Sequence, residues 1–75
     1  DISGCTVEEI LFYVSQGSPV FAMTGSKSAV LVTGYSQTNI YYYDPADGST
    51  KSMSLDAADK LFTKAGNLFF TYLNR

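Results

Sequence analysis

Ser28-Ala29-Val30-Leu31-Val32-Thr33-Gly34-Tyr35, a three-residue link Ser36-Gln37-Thr38, and Asn39-Ile40-Tyr41-Tyr42-Tyr43-Asp44 form the stretch that decides the fold of this 75-residue chain. Both runs are rich in β-branched and aromatic residues and predict strands. The link is too short for the crossover a parallel pair requires, so the two strands form an antiparallel hairpin. Ala29 to Val32 is apolar at every position, which predicts a central strand covered on both faces. Gly34 marks a bulge or a close backbone approach near its end. In the second run, Ile40 and Tyr42 point one way and Tyr41 and Tyr43 the other.

Working outward, Pro19 to Thr24 predicts a strand on the other side of a Gly25-Ser26-Lys27 turn. Before it, Thr6 and Glu9 have capping-box spacing, and Val7, Ile10, Leu11 and Val14 make one apolar helical stripe. Gly17 and Pro19 end that helix. On the C-terminal side, Asp44-Pro45-Ala46-Asp47-Gly48 is a turn, because Pro sets φ, Asp bonds back to the main chain and Gly tolerates positive φ. Ser49 to Met53 is polar and suits an edge strand. Ser54 caps a second helix with Leu55, Ala58, Leu61, Phe62 and Ala65 on one stripe, Gly66 ends it, and Leu68 to Leu73 is a last strand. The expected fold is α+β, a mainly antiparallel sheet of four to five strands with two flanking helices at about 6–16 and 54–65.

The length admits one domain, residues 1–75. Starting at Asp1 without a leader, the chain reads as a mature or excised piece of a larger protein. Five basic and seven acidic residues leave a net charge of −2, and the lysines are scattered, so no nucleic-acid partner is expected. Apolar runs such as Ala29–Val32 fall far short of the roughly 20 residues of a membrane helix, and no membrane insertion is expected. There is no His and one Cys, which excludes a Cys/His or Ser/His/Asp catalytic unit and a Cys/His zinc site within this chain. Asp44, Asp47, Asp56 and Asp59 lack calcium-loop spacing. No metal or cofactor is expected. Cys5 adjoins a helix N-terminus, where thiol pKa values fall, but without a base its expected role is structural. Lys27 and Ser28 are neighbours whose side chains point apart and make no Ser/Lys pair. Tyr41, Tyr43 and Tyr35 offer an aromatic ligand surface, against the more usual use of strand aromatics in cores and cross-strand pairs.

The ordered pieces Gly17-Ser18-Pro19-Val20-Phe21-Ala22, Ser28 to Tyr35, Tyr41-Tyr42-Tyr43-Asp44-Pro45 and Gly48 resemble the C-terminal, sheet-bearing half of papain-like bacterial cysteine peptidases of the bacteriocin-leader-processing type. The likeness spans roughly Thr6 to Tyr72, with the helix around Met53 to Ala65 and a closing Phe-x-x-Tyr strand. It implies a papain-like half-domain. In such enzymes a Cys thiolate attacks, an imidazole takes its proton and an Asp or Asn orients the imidazole. By this resemblance Asp44 falls at the orienting position and Ser28 at the imidazole position, while Cys5 matches no family nucleophile. The resemblance thus implies a catalytically inactive papain-like module with a binding or structural role. Two alternatives stand beside it. One is the C-terminal half of an active cysteine peptidase or amidase whose nucleophile lies in a missing N-terminal segment; the other is a self-standing interaction domain. The implied partners are a peptide, the N-terminal half of the parent, or a second copy through an exposed apolar patch, in a bacterial cell-surface or secreted setting.

Overall fold

The computed structural model describes residues 4–71. The elements run α1 (Val7–Ser15), β1 (Val20–Met23), β2 (Ala29–Tyr35), β3 (Asn39–Asp44), β4 (Ser49–Ser54), α2 (Leu55–Lys64) and β5 (Phe69–Thr71). The strands form one five-stranded sheet in the order β4-β3-β2-β1-β5, antiparallel at every pairing. The α+β class and the two helices are as the sequence predicts, and the outer residues of the expected helical ranges are their caps. Residues 72 and 73 of the expected last strand, and the end of its Phe-x-x-Tyr motif, lie outside the described residues.

Local chemistry sets the helix ends. Thr6 Oγ1 accepts the Glu9 N–H at 3.3 Å while Glu9 Oε1 accepts the Thr6 N–H at 2.9 Å, so the capping box is closed in both directions. Ser54 accepts the Ala57 N–H at 3.1 Å and starts α2 without any loop after β4. Gly66 follows α2 with φ +93°, a conformation that penalises any side chain with a Cβ. The Asn67 N–H reaches back to the Phe62 carbonyl at 2.8 Å, which turns the chain toward β5.

The pleat sorts the sheet into two faces. Val20 and Ala22 of β1, Val30 and Val32 of β2, Ile40 of β3 and Phe69 of β5 pack with Val7 and Ile10 of α1 and Ala58 and Phe62 of α2 into one core. Phe62 and Phe69 meet edge to face, centroids 5.7 Å apart at 90°. Cys5, Leu11, Tyr42 and Met53 pack around this core, in keeping with a structural Cys5.

Both helices therefore cover the same face. This corrects the expectation that β2 is covered on both sides. The strand is central, with two neighbours on either side, yet its alternate residues Ala29 and Leu31 are only half-buried. Their partial cover comes from cross-strand neighbours within the sheet, Met23 beside Ala29, and Phe21 and Tyr43 beside Leu31. No helix among the described residues lies over them. Among the described residues, no helix is long and apolar enough to cross a membrane.

Candidate functional site

Two regions bear on function. The first is an open cleft of about 530 Å³ where β2 begins and β3 ends, lined by Thr24, Lys27, Ser28, Asp44 and Pro45 among others. The two residues singled out by the peptidase resemblance, Ser28 and Asp44, thus border one space. The β2–β3 register, with Leu31 opposite Tyr43, brings them there.

Each is engaged elsewhere. Thr24 Oγ1 donates to Ser28 Oγ at 3.0 Å, and the Thr24 N–H donates to the Ser28 carbonyl at 2.9 Å, closing the β1–β2 turn. Asp44 Oδ1 accepts the Ala46 N–H at 2.9 Å, its carbonyl accepts the Gly48 N–H at 2.9 Å, and its Oδ2 lies 3.5 Å from Lys51 Nζ. Lys51 also pairs with Asp47, whose Oδ1 accepts both the N–H and the hydroxyl of Ser49. Lys51 and then Ser49 hold the Asp47 carboxyl well below its usual range, at about 2, and Asp47 in turn raises the Lys51 pKa. The β3–β4 turn is an ion-paired Asx turn with Gly48 at φ +70°. The cleft lining contains no imidazole, the chain having no His. Among the described residues, no cluster of His, Cys, Asp or Glu is arranged to hold a metal ion.

The second region is the helix-free face of the sheet. The register aligns one residue from each strand in a row across all five: Phe70 of β5, Phe21 of β1, Leu31 of β2, Tyr43 of β3 and Thr50 of β4. Phe21 and Phe70 are 43% exposed and Tyr43 40%. Tyr41 stands beside this row, 43% exposed and opposite Gly34. A Cβ at Gly34 would lie 3.7 Å from Tyr41 Cδ2, an ordinary contact, so the ring packs over the glycine without requiring it. At the margin is Leu68, 42% exposed, whose carbonyl accepts the Met23 N–H at 3.0 Å. The polar members of the face, Thr50 and Ser52, carry no charge, and alternation sends Lys51 to the other side.

Of the three tyrosines expected to share a ligand surface, the fold brings two together. The register shift between Val32 and Gly34 adds a residue to β2, so Tyr35 pairs with Ile40. Ile40 belongs to the core face. Tyr35 therefore sits at the rim of the helix side, away from Tyr41 and Tyr43. Phe21 and Phe70, which the sequence reading assigned only to strands, take its place. Their signal was present in the alternation Val20-Phe21-Ala22-Met23 and Phe69-Phe70-Thr71, in which a large apolar residue falls on the face opposite the core. Compared with known proteins, the chain matches no family model, no curated protein and no solved structure.

Proposed function

We propose that this chain is a catalytically inactive, papain-like module that acts by binding through the helix-free face of its sheet. The observation that carries the reading is the row Phe70, Phe21, Leu31 and Tyr43, apolar, level with the sheet and, among the described residues, without a covering layer. The four rings Phe21, Tyr41, Tyr43 and Phe70 leave about 350 Å² of aromatic surface open, taking roughly 200 Å² for a whole aromatic side chain. Contiguous apolar area on this scale commonly marks an interaction site. The papain-like part of the reading is supported by the motif order and by Ser28 and Asp44 sharing one cleft. The inactive part is supported by the lack of any His.

Two measurements test it. Incubation with a panel of peptide substrates and a thiol-directed probe is expected to give no turnover; hydrolysis that disappears in Cys5→Ala or Ser28→Ala overturns the inactive assignment. Binding of the apolar dye 1-anilinonaphthalene-8-sulfonate is expected to fall in Phe21→Ser and Tyr43→Ser. It should persist in Phe12→Ser, whose ring is 62% exposed but lies on α1. Dye binding untouched by the two face variants removes the face as the site.

The shared cleft of Ser28 and Asp44 favours a second reading, half of an active peptidase completed by a nucleophile on another segment. In a longer parent carrying an upstream Cys, peptide hydrolysis that disappears when that Cys is replaced would support it. A folded parent without turnover counts against that reading.

A further inference from the structure

We infer that the occupant of the helix-free face is a second copy of this chain, the two sheets packing face to face about a two-fold axis. This rests on the reading of that face as the binding surface. The first support is electrostatic. An isologous contact sets the same patch against itself, residue i on j and j on i, so a face of one net sign, or a charge near the axis, would repel its copy. Among the described residues the strands place no Asp, Glu, Lys or Arg there: Lys51 and Asp44 alternate to the helix side, while Thr50 and Ser52 edge the open side. The net charge of −2 adds little repulsion between whole molecules.

The second support is area. With Leu68, Leu31 and the hydroxyl rim added to the four rings, the face presents on the order of 600 Å² per copy. Two copies then bury roughly 1,200 Å², the lower limit for a specific interface, which predicts a weak, reversible dimer. Sheet-on-sheet packing of this kind interleaves the side chains of two inner faces about 10 Å apart. Association through the open edge of β4 is disfavoured by Lys51 at its middle, a charge of the kind that blunts sheet edges.

Sedimentation equilibrium on the 75-residue chain from about 10 µM to about 1 mM tests this, with an expected dissociation constant near 100 µM. The weight-average mass should climb from 8.2 kDa toward twice that value. Tyr43→Lys should raise the dissociation constant tenfold or more. Thr50→Lys, at an exposed edge position with no core contact to lose, should do the same and guards against misfolding of the first variant. Phe12→Ser should leave the dimer unchanged. A mass of 8.2 kDa throughout, or a dimer weakened by Phe12→Ser and not by the two face variants, overturns the inference. If the monomeric chain still binds the dye through Phe21 and Tyr43, the binding face survives and belongs to another peptide or chain; if dye binding there is also absent, both readings fall.

Discussion

Phe62→Ala tests whether the helix-side layer alone holds the fold. Phe62 is fully buried, packs edge to face on Phe69, and ties α2 to the β5 edge of the sheet. Truncating such a ring removes its transfer energy and leaves a cavity that the sheet and α1 cannot fully close, a loss of about 3–5 kcal/mol. A chain of this length has only about 4–11 kcal/mol of stability in total. The folded-to-unfolded ratio should therefore drop by roughly a factor of a thousand, and the melting temperature by about 15–30 °C. Urea unfolding followed by circular dichroism, at about 5 µM so that association does not contribute, measures the change. Phe12→Ala is the matched control: the same substitution, also in a helix, at a ring 62% exposed, with an expected change within about 1 kcal/mol. Phe69→Ala completes a double-mutant cycle whose coupling should be about 1 kcal/mol. A loss below about 1 kcal/mol for Phe62→Ala, or an equal loss for Phe12→Ala, would refute the assignment of the core to this single face.

The caps and the β3–β4 turn give further tests. Thr6→Ala removes the half of the capping box in which the Thr6 hydroxyl accepts the Glu9 N–H, and Ser54→Ala removes the only side-chain cap of α2 among the described residues; each should cost about 1 kcal/mol in the same urea assay. The Asp47 carboxyl should titrate near 2 in a pH series of carboxyl NMR shifts, and Lys51→Ala should return it toward 3.8. Because the folded pKa is depressed, whatever Asp47 contributes is present above 3.8 and is lost as pH falls toward about 2. Lys51 has the opposite sign: its folded pKa is raised above 10.5, so its contribution holds below that value and is lost as pH rises through the higher folded pKa. An Asp47 midpoint unmoved by Lys51→Ala would mean the pairing does not persist in solution.

The candidate site was only partly legible in the sequence. Alternation in Asn39–Asp44 separates Ile40 and Tyr42 from Tyr41 and Tyr43 without reference to any other element, and the fold keeps that division. Tyr35 follows the same local logic until one extra residue between Val32 and Gly34 inverts its side. A one-residue shift moves every later side chain to the opposite face, and a lone Gly marks such a shift without setting its direction. Phe21 and Phe70 are twenty or more residues from Tyr41 and Tyr43 in sequence. Only pairing puts them in one row.

What the sequence by itself determined is local: where α1 and α2 start and stop, through Thr6, Ser54 and Gly66; which turns join the strands; and the antiparallel hairpins that short links require. These depend on contacts within a few residues, so the residue types suffice. Tertiary structure decided that β5 returns beside β1, that α1 and α2 share one face, and that Ala29–Val32 is apolar on an uncovered side as well as a covered one. The physical reason is that periodicity reports which residues avoid water, whereas the layer that shields them is chosen by pairing across the whole chain. That choice leaves Phe21, Leu31, Tyr43 and Phe70 as an apolar row without a covering layer among the described residues.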